Sequence, residues 1–256
     1  MWGLPINASA HGYEIDSIII YVHILMLVLF LGWGAFFIFT LVRFNRRVHP
    51  KADYTGVKSH LSTKLEIAVV IIEAVLLVGF SIPFWAKHVN AFPNRTDTIE
   101  VRIVAEQYAW NIHYPGKDGM FGKTSPKLMD SQNNPLGIDS TDPNAADDFV
   151  TINQLHLPIG RPVVVHLSTK DVIHSFALPV MRVKQDAIPG MSIPVWFTPI
   201  KTGDFEIACA QLCGIGHYRM KGFLNIHSPE EYAKWVSEQE TIGASSSEGG
   251  ADSFWN

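Results

Sequence analysis

Several features that assign a chain to common protein classes are missing here. The 256 residues contain only two cysteines and no C-x-x-C-H run, so the sequence offers no attachment site for a c-type haem. Charged residues make up 17% of the chain and the net charge is −4, which argues against the basic surface of a nucleic-acid-binding protein. Residues 1–14 contain no Lys or Arg, whereas a standard signal peptide begins with a basic segment.

The apolar residues are concentrated in two early blocks, residues 15–42 and 65–86. Each block is long enough to cross a bilayer, and a helix can satisfy its own backbone polar groups there. The loop between them, residues 43–64, is basic, and Lys and Arg favour the cytoplasmic side of a membrane. The sequence therefore predicts a transmembrane hairpin, with residues 1–14 and everything after the second span on the outer side.

Two carboxylates stand in the second apolar block. Glu66 and Glu73 are seven residues apart, so a helix places them on one face. A carboxylate within a membrane span is costly and marks a candidate functional site. Glu66 lies at the cytoplasmic rim, where a solvated helix end is the alternative interpretation. Glu73 lies about two turns deeper, where we expect it to face a partner helix.

After residue 97 the pattern changes to short strands. Ile99, Val101 and Ile103 alternate with polar residues, which is typical of a half-buried strand. Many such runs separated by Gly and Pro predict a β-sandwich or barrel over residues 97–227. A polar stretch, residues 115–149, interrupts this pattern and is long for a structureless loop. We expect an ordered insertion that contacts another subunit.

The C-terminal part divides into two segments. The run Ser228-Pro229-Glu230-Glu231 combines an N-cap, a proline in the first turn and a capping box. It predicts a short helix over residues 228–240. Residues 241–256 are rich in Gly, Ser and Ala, which predicts a disordered tail.

Residues 209–220 contain the densest group of metal-binding side chains: Cys209, Cys213, His217 and Met220. A disulfide is the ordinary alternative for two cysteines outside the cytoplasm. A zinc site has no use for methionine, and a blue-copper site needs one cysteine fewer and a second histidine. His174 stands upstream in the run V-I-H-S-F-A-L-P. Two thiolates, two imidazoles and a thioether suit two metal ions bridged by the sulfurs better than one tetrahedral ion.

Three runs together closely resemble subunit II of haem–copper cytochrome c oxidases. They are C-x-x-x-C-G-x-x-H-x-x-M, V-I-H-S-F-x-x-P and V-K-Q-D-A-I-P-G, and the resemblance covers roughly residues 15–235. It implies a membrane α + β protein, in which a two-helix hairpin precedes a cupredoxin-like Greek-key sandwich. It also implies a dinuclear copper centre, CuA. Cys209 and Cys213 would bridge the metals, His174 and His217 would be terminal ligands, and Met220 and the Gln211 carbonyl would be weak ligands.

The resemblance implies a function and its partners. The chain would accept electrons from a c-type cytochrome and pass them to haem in subunit I, where O2 is reduced to water with proton pumping. Subunits I and III and the lipid bilayer would be its partners. A bacterial inner membrane is expected, with the copper domain on the periplasmic side, and Glu66 would stand at the mouth of a proton pathway into subunit I.

Two motifs depart from the pattern of the family, at three positions. The aromatic run that accepts electrons is commonly Gln-Trp-Tyr-Trp, whereas Gln107-Tyr108-Ala109-Trp110 stands here. Tyr108 and Trp110 are therefore the expected electron-accepting residues, and a membrane-tethered or complex-bound cytochrome fits as well as a diffusing one. Gln211 replaces a glutamate that reaches Mg²⁺ at the interface with subunit I, which puts that site in doubt because Mg²⁺ prefers carboxylates.

Three other functions compete with this interpretation. Subunit II of quinol oxidases shares the topology but lacks the copper ligands. Nitrous oxide reductase has a similar copper loop but is soluble and carries a large propeller domain. A copper carrier would need exchangeable ligands, and copper release to a chelator would distinguish it.

Overall fold

The computed structural model describes residues 3–52, 54–56, 58–239 and 241–245. It contains two compact units. One is Tyr13–Phe92, and the other combines Met1–Gly12 with Pro93–Asn256. The first unit is helical and the second is a β-sandwich, as the fold class predicted from the sequence requires.

The helical unit consists of two long apolar helices. Helix α1 is Gly12–Arg43, and a second helical run follows as α2 Leu61–Ala74, a π-helical stretch Val75–Ser81 and α3 Ile82–Asn90. The π-helical stretch ends two residues before Pro83. Proline has no backbone N–H to donate, and its ring is crowded by the carbonyl of the preceding turn, so the regular hydrogen bonding of the helix changes here. Both runs are long and apolar enough to cross a membrane.

The sandwich is built from two five-stranded sheets. One has the order β3-β2-β1-β5-β8 and the other the order β4-β10-β9-β6-β7. Two neighbouring pairs are parallel, β1 with β5 and β4 with β10, and the other neighbours are antiparallel. The strands are β1 Ile99–Glu106, β2 Ala109–Tyr114, β3 Phe149–Ile152, β4 Gln154–Pro158, β5 Val163–Thr169, β6 His174–Leu178, β7 Val183–Ala187, β8 Ile193–Phe197, β9 Gly203–Cys209 and β10 Lys221–His227.

The core lies between the two sheets and extends into the cysteine loop. Alternating residues of β1 point inward, and the aromatic rings of Trp110, Phe176 and Phe197 are fully buried. Cys213 and Met220 belong to the same buried cluster. The side chains with metal-binding chemistry are therefore part of the packed interior, where neighbouring atoms restrict their movement.

The N-terminal segment, residues 5–10, is part of the sandwich. Ala8 is fully buried, and its backbone N–H donates to the carbonyl of Val180 at 2.8 Å. The Ser9 hydroxyl donates to the carbonyl of Met181 at 2.7 Å, and the Arg182 guanidinium donates to the carbonyl of Pro5 at 2.8 Å. The segment thus packs beside residues that are far away in sequence.

The insertion packs against the outer face of the sheet that contains β1 and β2. Leu136, Ile138 and Ala145 form a small apolar cluster with side chains of that sheet. The buried Asp148 carboxylate accepts from His113 Nε2 at 2.7 Å and from the Gly122 N–H at 2.8 Å. The insertion is ordered by these contacts, and its predicted contact with another subunit stays a prediction.

The C-terminal helix α4, Pro229–Ser237, begins with the predicted capping box at Ser228. Its Trp235 ring stacks on His156 with centroids 4.2 Å apart. A short helix, α5 Ile242–Ser245, lies within the predicted disordered tail. Backbone hydrogen bonds from Ile242 and Gly243 to the end of the insertion hold it in place. Residues 246–256 lie outside the described residues.

The contact between His156 and its neighbours makes stability dependent on pH. Burial and the adjacent His227 lower the pKa of His156 to about 4, whereas the pKa of a histidine in the unfolded chain is about 6.5. Between these values the unfolded chain binds more protons, so the free energy of unfolding falls as the pH falls through that window. The His156 side chain is partly exposed, and with solvent screening we expect a loss on the order of 1 kcal/mol.

Urea unfolding of the full chain in detergent at pH 7 and pH 4.5, followed by tryptophan fluorescence, measures this loss. We expect a smaller acid loss in His156→Gln than in the unsubstituted chain. His60→Gln is the control, because His60 is exposed. Equal acid losses in all three proteins would contradict the assignment.

Candidate metal centre

Three neighbouring strands bring the donors together. His174 begins β6, Cys209 ends β9, and Met220 immediately precedes β10. Strand β9 pairs with β6 on one side and with β10 on the other, so the donors meet at one end of these three strands. The loop between β9 and β10 carries the remaining donors back over the end of the core.

The donor atoms lie close together. The sulfurs of Cys209 and Cys213 are 3.7 Å apart and are not bonded as a disulfide. His174 Nδ1 lies 3.9 Å from the Cys209 sulfur, and His217 Nδ1 lies 3.6 Å from the Cys213 sulfur. Met220 Sδ is 3.1 Å from His174 Nδ1, and the Gln211 carbonyl oxygen is 3.2 Å from the Cys209 sulfur. All six residues selected from the sequence thus meet in one cluster.

The cluster is largely shielded from water. His174 is fully buried, Cys213 and Met220 are each 3% exposed, and Cys209 is partly exposed. Burial raises the pKa of the Cys213 thiol to about 11, and the neighbouring Cys209 sulfur adds to the effect. The thiolate, which is the metal-binding form, therefore requires the positive charge of a bound metal.

A carboxylate that was not selected from the sequence orients the first histidine. Asp171 Oδ1 lies 2.9 Å from His174 Nε2, which leaves Nδ1 directed at the sulfurs. Burial acts to raise the pKa of Asp171, but hydrogen bonds from His174 and from the backbone N–H groups of Gln107 and Val172 hold it below its usual value. Metal-binding histidines commonly donate their second ring N–H to a carboxylate, but no pattern in the sequence marks Asp171 as that partner.

Tyr108 and Trp110 lie at different depths. Tyr108 is half-buried in the two-residue turn between β1 and β2, and its ring lies against Gly214 and Gly216 of the cysteine loop. Trp110 is fully buried, with its ring 6.2 Å from that of His174 in an edge-on arrangement. Only Tyr108 of this pair is accessible from the surface.

Large apolar side chains surround the cluster on the solvent side. Leu212 is 79% exposed, Ile215 is 95% exposed and Tyr218 is 85% exposed. The Arg219 guanidinium lies 5.7 Å from the centre of the Tyr108 ring.

Glu66 and Glu73, the other candidates selected from the sequence, are exposed side chains of α2.

Comparison with known proteins assigns the family. Residues 99–226 match the periplasmic domain of cytochrome c oxidase subunit II. The chain is 36% identical over 243 residues to the alternative cytochrome c oxidase subunit 2 of Bradyrhizobium diazoefficiens, covering 94% of this chain and 85% of that protein. The chain belongs to the cytochrome c oxidase subunit II family.

A second relative and a solved structure are also similar to this subunit II chain. Cytochrome c oxidase subunit 2 of Synechocystis is 31% identical over 251 residues, covering 91% of this chain and 75% of that protein. The crystal structure of the periplasmic domain of subunit II from Bradyrhizobium japonicum is 30% identical and covers 54% of this chain and 91% of that domain, with a TM-score of 0.40.

The family membership identifies the cluster as a copper site in a subunit of a haem–copper oxidase complex. The thiol, thioether and imidazole donors fit that metal by their own chemistry. The two apolar helices anchor the subunit in a membrane, and the family's periplasmic domain lies on its outer side.

Proposed function

We propose that this subunit II accepts electrons from a c-type cytochrome at a dinuclear copper centre and passes them to haem in subunit I. The observation that carries the proposal is the pair of thiols 3.7 Å apart with one imidazole beside each sulfur. Cys209 and Cys213 would bridge the metals, His174 and His217 would be the terminal ligands, and Met220 and the Gln211 carbonyl would be weak ligands.

The donor count supports two metals over one. A single tetrahedral ion takes four ligands, and the cluster offers five side chains and a carbonyl. Each sulfur is near the other sulfur and near one histidine, so the donors divide into two similar halves. When bound, the copper pair would take up and release one electron.

Residues around the cluster hold the metal-binding side chains in fixed positions. Asp171 holds the His174 ring in one tautomer and one orientation, and the packed core around Cys213 and Met220 resists movement. Water is excluded from the buried side of the cluster. A site that moves little when its charge changes transfers electrons with little reorganisation.

Tyr108 and Trp110 are the proposed electron-accepting residues. Tyr108 joins the outer surface to the cysteine loop, and Trp110 lies beneath it, against His174. The exposed apolar side chains nearby would meet the donor cytochrome, which is either diffusing or tethered to the membrane.

Replacing Tyr108 with Ala is expected to lower the second-order rate of cytochrome oxidation at least tenfold without loss of copper. Tyr108→Phe should retain most of the rate, since the ring provides the contact with the loop. Tyr54→Ala is the matched control, because Tyr54 is an exposed tyrosine in the loop between the two apolar helices. An equal loss of rate in Tyr54→Ala would contradict the role of Tyr108.

The remaining roles concern the assembled enzyme. We propose subunits I and III as partners, a bacterial inner membrane as the location, and proton pumping as the activity coupled to electron transfer. Glu66 is proposed to stand at the start of a proton pathway. Gln211 is a poor ligand for Mg²⁺ at the interface with subunit I, because its amide lacks the negative charge that Mg²⁺ favours.

The domain organisation proposed for this function follows the sequence analysis. Residues 15–42 and 65–86 would span the membrane, residues 43–64 would be cytoplasmic, and residues 97–227 would form the copper domain.

Copper content and electron paramagnetic resonance of the full chain test the proposal. We expect two coppers per chain and one unpaired electron shared by two copper nuclei. One copper with a single-nucleus spectrum, or ready loss of copper to a mild chelator, would overturn it and favour a copper carrier.

A further inference from the structure

The turn between β1 and β2 contacts both halves of the metal cluster. The side-chain amide of Gln107 donates to the carbonyl oxygen of Cys213, with Nε2 and O 2.6 Å apart. The backbone N–H of the same residue donates to Asp171 Oδ2 at 2.8 Å. The other oxygen of Asp171 lies 2.9 Å from His174 Nε2. Gln107 is therefore hydrogen-bonded directly to the backbone of Cys213. It is also connected to His174, on strand β6, through the carboxylate of Asp171.

The cysteine loop is shaped to receive this turn. A Cβ atom on Gly214 would lie 2.6 Å from Gln107 Nε2, and a Cβ atom on Gly216 would lie 2.5 Å from the Tyr108 ring. Such distances are too short for any real side chain. The two glycines thus allow the Gln107 amide and the Tyr108 ring to lie directly on the loop backbone.

We propose that Gln107 is a positioning residue for the copper centre. Gln107 fixes the position of the Cys213 peptide relative to the His174 ring. Cys213 lies in the cysteine loop and His174 on strand β6, and hydrogen bonds within the protein make this connection without a metal. Tyr108 follows Gln107 in the chain. The hydrogen bonds of Gln107 to Cys213 and Asp171 therefore also hold the backbone of Tyr108 beside the site. The role in electron transfer rests on the function proposed above, whereas the role in ordering the loop does not.

Two features favour this role over that of an ordinary surface hydrogen bond. Gln107 uses its backbone and its side chain for two separate partners, each of which is either a candidate ligand or a residue that holds one. Among the described residues, its bond to Cys213 is the side-chain hydrogen bond that joins the β1–β2 turn to the cysteine loop. Loss of that bond therefore leaves the Cys213 peptide held by the loop itself.

Hydrogen–deuterium exchange of the copper-free full chain in detergent tests the proposal directly. Gln107→Glu keeps the side-chain size, removes the N–H donor and places a carboxylate against a carbonyl oxygen. We expect amides of residues 210–217 to exchange at least tenfold faster in this variant. Gln132→Glu is the matched control, because Gln132 is exposed on the insertion and its substitution changes the charge equally. Exchange at the unsubstituted rate in Gln107→Glu would overturn the proposal.

Copper-loaded protein provides a second readout. We expect copper release to a chelator to be 10- to 100-fold faster in Gln107→Glu, which is the usual effect of losing a residue that supports a metal ligand. We also expect altered copper hyperfine splitting. If Gln107→Glu does not fold, Gln107→Met removes the donor without adding charge and replaces it in both experiments. Absence of a copper pair in the unsubstituted chain would overturn the proposed function, while the exchange experiment would still decide the role of Gln107.

Discussion

Replacing Cys213 with Ser is expected to abolish the paired copper site. The Cys213 sulfur lies 3.7 Å from the Cys209 sulfur and 3.6 Å from His217 Nδ1, so it connects the two halves of the cluster. A hydroxyl is a hard, weakly acidic donor and does not replace a bridging thiolate. We expect one copper or none per chain, and electron acceptance more than 100-fold slower, since loss of a mere supporting residue already costs 10- to 100-fold.

Copper analysis and stopped-flow reduction of the full chain measure both effects. Met220→Leu provides a graded comparison, because a weak ligand is lost while both thiolates remain. Met181→Leu is its matched control, since Met181 is a fully buried methionine outside the cluster. Two coppers and a normal rate in Cys213→Ser would show that this sulfur is not a bridge.

Replacing Gly216 with Ala is expected to distort the cysteine loop. The backbone of Gly216, with φ −86° and ψ 6°, has the conformation of the third residue of a type I turn, which most residues adopt, so the effect comes mainly from contact. The added Cβ atom would lie 2.5 Å from two carbons of the Tyr108 ring. Overpacking of this kind costs about 1–3 kcal/mol, and here the strain falls on the residue next to His217. We expect lower stability and faster copper release.

The double variant Gly216→Ala with Tyr108→Ala distinguishes contact from a change in backbone preference. Removing the ring should restore most of the lost stability and copper retention. Gly34→Ala is the control, because no atom lies within 4 Å of a Cβ placed there and alanine favours the helix. Absence of rescue in the double variant would contradict the contact.

The copper donors could be selected from the sequence because five of them follow a fixed spacing. Within residues 209–220 the chain itself brings the sulfurs, His217 and the Gln211 carbonyl close together. His174 depends on long-range strand pairing and was found through its own motif. The family resemblance supplied the division into bridging, terminal and weak ligands, which spacing alone leaves open.

Other parts of the structure depend on contacts that leave no local pattern. Asp171 and Gln107 are ordinary polar residues in the sequence, and their importance appears only when β1, β6 and the cysteine loop meet. The same holds for α5, which lies in a segment whose Gly and Ser content predicts disorder. Its backbone is held by carbonyl groups of the insertion, which composition does not reveal.

The position of the N-terminal segment has a consequence for synthesis. The Ser9 hydroxyl bonds to the carbonyl of Met181, 172 residues further along the chain. Ribosomes make proteins from the N-terminus, so residues 5–10 are made before Met181 and have no binding surface until that part of the chain has followed. Closing such a long loop is slow, and the buried Ala8 enters the core only at that stage. This N-terminal segment is therefore made before the residues that bind it and is among the last parts of the sandwich to reach its final place.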